Sequence, residues 1–326
     1  MAPQPIDLRL AALRRFAGAI TVFNLLGHVW FGFEQAWATP LLALATGYAV
    51  ELLLEWLDAH AAGRRPRFLG GGIGGAVDFL LPAHITALAV SMLLYAGGKV
   101  SVTLFATALA IVSKYLFRVT VGGRPRHFFN PSNFGISVTL LLFHWVAIAP
   151  PYMFTENLTG NGAWILPAVL VCAGTFLNAR FTKRLPLIAT WLSCFAFQAL
   201  ARCWLSGRPL GASLLPMTGM AFLLFTFYMV SDPSTTPFRV RGQVLFGAGV
   251  AAVYGLLLWN HVVFTLFFSL SLVCLARGAS LWLGERQPAG LAARRPATVP
   301  VPVPAVAVAR APEPFDPAMS PPPMST

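Results

Sequence analysis

The stretch Gly122-Gly123-Arg124-Pro125-Arg126-His127-Phe128-Phe129-Asn130-Pro131-Ser132-Asn133-Phe134-Gly135 carries a dense set of residues able to do chemistry. Asn130 has the side chain of a helix N-cap. Pro131 suits the first helical turn, where its missing N–H would be unpaired in any case. A helix opened in this way aims free N–H groups and the positive end of its dipole at the surface, and Arg124 and Arg126 add full charges. The combination reads as a cradle for a phosphate or another anion. The competing reading is a capped helix whose arginines touch lipid headgroups. A second element, Ser231-Asp232-Pro233-Ser234-Thr235-Thr236-Pro237, repeats the Asx-Pro pair with hydroxyls and is followed by Arg239 and Arg241. The candidate binding residues are therefore Arg124, Arg126, Asn130, Ser132, Asp232, Ser234, Thr235 and Thr236.

Polar residues inside apolar runs form a second group. Glu51 and Glu55 stand one helical turn apart and share a face. Asp78 and His84 flank Pro82, and Asn24 and His28 are again one turn apart. Glu51, Asp78 and His84 are candidates for a proton or cation path. The alternative is internal hydrogen bonding and snorkelling at span ends, the reading preferred for Glu55 and Asp78. Cys172, Cys194, Cys203 and Cys274 lack Cys-x-x-Cys spacing and read as small packing residues. No metal-ligand cluster, Ser-His-Asp order, phosphate-binding Walker loop or dinucleotide fingerprint is visible.

These residues must be held by elements that live in lipid. Only 10% of the 326 residues are charged and 57% are hydrophobic, against about a quarter charged in soluble domains. Too little polar surface exists to cover a water-soluble globule. The apolar residues fall into ten runs near the ~20 residues that cross a hydrocarbon core of about 30 Å: 16–33, 36–57, 76–96, 99–117, 132–149, 164–180, 186–203, 213–230, 243–259 and 260–276. The spacing predicts an all-α membrane protein with a short amino-terminal segment, 1–15, and a ten-helix transmembrane domain, 16–276. The first run follows Arg14 and Arg15 and is trailed by Ala36-Trp37-Ala38. It is longer than a signal-peptide core and reads as an uncleaved first span.

With a cytoplasmic amino terminus, every basic residue except Lys99, Lys114, Arg202 and Arg208 falls on the cytoplasmic side. The positive-inside rule then places both termini in the cytoplasm of a cell inner membrane, with both Asx-Pro elements on that side. The net charge of +12 lies in these short clusters, with no basic stripe or aromatic-interleaved patch. That pattern points to the lipid bilayer as partner and argues against nucleic acid. Ten spans divide into five plus five, and an odd number per half makes the halves inverted. The third spans share Phe79-Leu80-Leu81-Pro82 and Ser213-Leu214-Leu215-Pro216. Paired, proline-interrupted segments point to a central site in inverted repeats. Beyond them, 277–326 reads as a Pro/Ala-rich disordered cytoplasmic tail.

Lys114–Gly135 resembles the element in which Asn-Pro opens a membrane helix in the RnfD/NqrB-like membrane protein family. That family comprises the D-type membrane component of the Rnf electron-transport complex and the B-type component of the sodium-translocating NADH:quinone reductase. Phe227–Pro237 resembles the later Asp-Pro element of that family, and the likeness covers most of 40–276. More closely, His127–Gly135 and Asp232–Pro237 look like the UnbU-like membrane protein of enediyne biosynthetic clusters. The resemblance implies a flavin-dependent electron carrier working beside other membrane redox subunits or biosynthetic enzymes. In the Rnf and quinone-reductase relatives a phosphoester joins FMN to the threonine of an Asp-x-x-Ser-Gly-Ala-Thr type sequence. The matching loop here reads Glu156-Asn157-Leu158-Thr159-Gly160-Asn161-Gly162. Gly162 stands where the acceptor threonine should be and has no oxygen to phosphorylate, while Thr155 and Thr159 occupy the wrong offsets. Covalent FMN is not expected, and a non-covalent flavin (FMN or riboflavin) stays open. Three functions are carried forward. They are redox support for enediyne-type biosynthesis, transport of a small solute or pathway intermediate, and a non-catalytic membrane scaffold for biosynthetic enzymes.

Overall fold

In lipid, an apolar run has to satisfy its own backbone hydrogen bonds, and helices are the economical way to do so. The computed structural model describes residues 8–121, 123–150, 154–207 and 209–286. Seven of its helices are long and apolar enough to cross a membrane, or up to eight if the bent pair Leu210–Thr218 and Met220–Met229 is one span. Val100–Leu116 and Pro131–Leu142 are shorter apolar helices. The chain is a multi-pass helical membrane protein.

The helices are α1 (Leu8–Leu26), α2 (Ala38–Ala61), α3 (Gly72–Leu93), α4 (Val100–Leu116) and α5 (Pro131–Leu142), then α6 (Gly162–Leu177) and α7 (Leu185–Ser206). They are followed by α8 (Leu210–Leu214), α9 (Met220–Leu224), α10 (Val240–Trp259) and α11 (Thr265–Arg286). Helix α1 packs on α3, α2 on α3 and α4, and α4 on α5. In the second half α6 packs on α9, α7 on α10, and α10 on α11, while α5 meets α11. Close approach fixes α4 against α5: a Cβ on Gly135 would sit 2.4 Å from the Ala106 carbonyl oxygen.

The structure departs from the sequence expectation in four places. It is not wholly α-helical. Strands β2 (Arg118–Val121) and β3 (Arg124–His127) form an antiparallel hairpin, with Val121 opposite Arg124. Gly123 takes φ 74°, the left-handed geometry that a two-residue hairpin connection needs. A second pair joins β1 (Leu94–Tyr95) to β4 (Ala147–Ile148), and α5 stops at Leu142 rather than near 149 because the chain turns back to make it.

The two proline-bearing spans are also unequal. Helix α3 runs unbroken through Pro82, whereas Pro216 lies in a 3-10 turn within a segment bent by 62°. Finally, α11 continues to Arg286, past the boundary expected at 276. The turn before it, with positive φ at His261 and Phe264, delays its start to Thr265. The part of the expected tail from Gln287 to Thr326 lies outside the described residues.

A candidate anion-binding cavity

Asn130 holds φ −67° and ψ 121° and caps α5, accepting from the Asn133 N–H at 3.0 Å and from the Ser132 hydroxyl at 2.9 Å. Pro131 occupies the first helical position, as its fixed φ and missing N–H favour. The Asn130 Nδ2 group then reaches the second Asx-Pro element, donating to the Met229 carbonyl at 3.3 Å and to Asp232 Oδ2 at 3.4 Å. Elements 102 residues apart in sequence thus meet side chain to side chain.

The second element does not open a helix. Asp232 organises a turn instead: Oδ1 accepts the Ser234 N–H at 2.9 Å and Oδ2 accepts the Thr235 hydroxyl at 3.2 Å. The Thr236 hydroxyl donates to the Asp232 carbonyl at 2.6 Å, and α10 begins only at Val240. Two arginines brace this turn from outside. Arg184 donates from Nε to Thr236 Oγ1 at 2.9 Å and from Nη2 to the Pro233 carbonyl at 3.3 Å, and Arg277 donates to the Thr235 carbonyl at 2.9 Å. Burial pushes the Asp232 carboxyl above its usual range, opposed by the Ser234 backbone N–H. Burial likewise lowers Arg184, opposed by the Asp232 charge.

Facing this loop across a cavity of about 1030 Å³ is a second polar wall. Glu51 accepts from the Lys114 ammonium and from the Tyr115 hydroxyl at 3.2 Å. Glu55 is wholly buried. It accepts from Arg64 Nη1 at 2.6 Å and from Arg67 through N at 2.9 Å, Nε at 2.9 Å and Nη2 at 2.5 Å. Asp58 pairs with Arg64 and, at 3.0 Å, with Arg118. Hydrogen bonding to Glu55 is the main cause that raises Arg64 and Arg67 above the ordinary guanidinium value. Four of the cations on this wall, Arg64, Arg67, Lys114 and Arg118, are paired with its three carboxylates, and a fifth, Arg65, is exposed.

The structure therefore brings Arg126, Asn130, Ser132, Asp232, Ser234 and Glu51 to one cavity. Thr235 and Thr236 hold the loop from behind and do not line it. The Arg124 side chain is outside the described set, although its backbone belongs to β3. Asp78 and His84 are not among the cavity residues. Asp78 forms a two-toothed pair with Arg14 at 2.8 and 2.7 Å. His84 lies between the Thr21 hydroxyl at 2.7 Å and the Tyr48 hydroxyl at 2.5 Å, tying α1, α2 and α3 together.

Arg184 and the arginine partners of Glu55 were not singled out from sequence. A signal existed for Lys114, a cation left inside an apolar run with an acid, Glu51, inside another.

No protein-family model matches the chain. Over 108 residues it is 31% identical to the D-type subunit of the ion-translocating oxidoreductase complex of Pectobacterium atrosepticum. The matched stretch is 33% of this chain and 29% of that relative, so the chain spans under a third of the length of the curated relative it matches.

Proposed function

We propose that this chain is the membrane-embedded component of a redox assembly, holding a non-covalent flavin at the cavity between its two Asx-Pro elements. The observation that carries the reading is the junction of Asn130 with Asp232 on the wall of one large cavity. Its volume of about 1030 Å³ reaches the upper end of small-molecule sites, about 300–1,000 Å³. Phe16, Phe181 and Tyr228 supply ring faces along its wall, and Arg126, Asn130, Ser132 and Ser234 supply polar contacts. A bound flavin would accept and pass on one or two electrons. The chain's part is to bind it, orient it and keep water from its ring. Gly162 begins α6 and does not line this cavity, consistent with binding that needs no phosphoester.

The likeness to one component of an oxidoreductase complex supports other membrane redox subunits as partners. Service to enediyne-type biosynthesis rests on the two motif resemblances. We also infer ten crossings in two inverted halves, with the termini and the arginine-bearing loops in the cytoplasm. Two features support the inversion: corresponding helix pairs pack in both halves, and α1 and α6 each run into a five-residue π-helical turn closed by a left-handed residue, Gly32 and Lys183.

Purified protein tests the reading. A flavin absorption spectrum, released intact by denaturation and weakened by Asn130→Ala or Asp232→Ala, supports it. Colourless protein that binds neither FMN nor riboflavin refutes it. Solute movement in vesicles would then favour the transporter, and its absence the scaffold.

A further inference from the structure

Beyond the flavin reading, the same cavity has a sharply divided lining. Every residue that α1 contributes is apolar, from Ala12 to Phe23. From α3 come Pro82, Ile85, Ala89, Met92 and Leu93, with Thr86 the one hydroxyl, already donating to the Pro82 carbonyl at 2.8 Å. From Pro82 to Leu93 the helix rises about 16 Å. The cavity is therefore a long apolar limb leading away from a charged mouth.

At that mouth Arg184 is only 2% exposed. Among the described residues no carboxylate lies within ion-pair distance, 4.0 Å, of it. Two of its five N–H groups are committed, to Thr236 and Pro233. Its guanidinium centre and that of Arg126 lie 5.0 and 4.6 Å from the Phe238 ring. A buried cation without a contacting counter-ion is costly, and an anion delivered by a ligand removes that cost. The opposite wall makes no such demand: Lys114, Arg64, Arg67 and Arg118 already hold Glu51, Glu55 and Asp58, and Arg65 is exposed to solvent.

We propose that the cavity binds a single-chain amphiphile, with its anionic head, a phosphate or carboxylate, on Arg184 and its chain lying between α1 and α3 as far as Phe23 and Met92. Only a ligand charged at one end and apolar for the rest satisfies both regions. Water alone does not neutralise a buried guanidinium, and the α1 and α3 faces of the limb are apolar apart from Thr86, whose hydroxyl is already committed.

The test uses the full chain in phosphatidylcholine nanodiscs and a long-chain fatty acid carrying a photoreactive diazirine at its far end. Saturable labelling near Phe23 and Met92, displaced by hexadecyl phosphate but not by hexadecanol or inorganic phosphate, is the expected result. Arg184→Gln should reduce labelling about tenfold, the loss of one charge-assisted contact. Ala89→Phe, which narrows the limb without touching the mouth, should exclude the long-chain probe and spare an octyl one. This second variant keeps the test decisive if Arg184→Gln does not fold.

Labelling confined to the lipid-facing residues Val22 and Leu25, or equal displacement by hexadecanol, would overturn the proposal. Native mass spectra separate the sources. A bound lipid on untreated protein identifies the bilayer as the source, and a complex seen only after addition of hexadecyl phosphate identifies a separately supplied substrate. Neither mass appearing overturns the proposal. Flavin content is read on the same samples, so colourless protein that labels supports the amphiphile while sinking the flavin reading alone.

Discussion

Asn130→Asp probes the junction on which the candidate site depends. The introduced carboxylate can still accept from the Asn133 N–H and the Ser132 hydroxyl, so the cap of α5 is kept. What changes is the other side of the group, where an amide now donates to Asp232 Oδ2 at 3.4 Å. Two carboxylates at that separation repel by about 5 kcal/mol at an effective dielectric near 20. Arg126 and Arg184 nearby lower the figure, leaving about 3 kcal/mol at neutral pH, unless the pair takes up a proton. Asn130→Ala loses the cap and the Nδ2 donor instead, together about 2 kcal/mol.

The polar variant is thus expected to be the less stable of the two at neutral pH and to recover as pH falls and a proton bridges the pair. The double variant Asn130→Asp/Asp232→Asn exchanges donor and acceptor and should regain most of the loss. Thermal unfolding in detergent across a pH series measures all three. A single Asn130→Asp variant as stable as the parent at neutral pH, or a double variant no better than the single, would refute the reasoning.

Further outcomes are expected elsewhere in the molecule. Gly135→Ala places a methyl 2.4 Å from the Ala106 carbonyl oxygen, a backbone atom that cannot step aside, and should cost about 2–3 kcal/mol; Gly18→Ala, with nothing within 4 Å, should not destabilise. Glu55→Gln leaves Arg64 and Arg67 facing a neutral amide. Their side chains are 35% and 59% exposed, so solvent screening reduces the 3–5 kcal/mol of a broken buried pair to about 2, and an unchanged unfolding temperature would contradict the burial argued for Glu55.

Asp232 titrates above the usual carboxylate range in the folded chain. Its contribution to stability is therefore fully present below an ordinary pKa of about 4 and is lost as pH rises through the raised value. Asp232→Asn should flatten that slope in pH-dependent unfolding. Denatured protein should show no fluorescent flavin band on a gel, and such a band would overturn the reading of Gly162.

What could be read in the sequence depended on whether a signal was local. The Asn130 cap followed from residue type and from Pro131 beside it, and the helix begins where they place it. Asp232 has the same Asx-Pro signature, yet Pro237 and the hydroxyls of Thr235 and Thr236 close a turn before any helix starts. The hairpin at 118–127 was legible in principle, since Gly122-Gly123 is hairpin chemistry. Pro125 within the second strand works against that reading, because proline gives no N–H to a ladder. Pro82 could not be told from Pro216 by sequence: α3 absorbs the missing N–H and stays continuous, and only packing decides which proline breaks its helix. Glu55 reads from the sequence as internally hydrogen-bonded or snorkelling near a span end. It is internally hydrogen-bonded, and the sequence does not name the partners, Arg64 and Arg67, which fold back over the end of α2 and bury it.

That last case changes what a count of arginines means. Charge asymmetry between loops treats each basic residue as equal, which suffices to choose an orientation. Structure divides them. Arg64, Arg67 and Arg118, with Lys114, are matched to Glu51, Glu55 and Asp58, and their role is to hold α2 and α4 together at the arginine-bearing end. Arg126 and Arg184 sit across the cavity, each against the Phe238 ring rather than a carboxylate. Asp232, the acid nearest that side, takes its hydrogen bonds from Ser234, Thr235 and Asn130 and acts on Arg184 only at a distance, with Arg126 and Arg277 adding positive charge beside it. The buried cation without a contacting carboxylate is therefore on the Asx-Pro wall, whereas the unpaired Arg65 of the opposite wall is exposed to solvent. A ligand that discriminates between the walls must carry its negative charge to the Asx-Pro side, whichever molecule it proves to be.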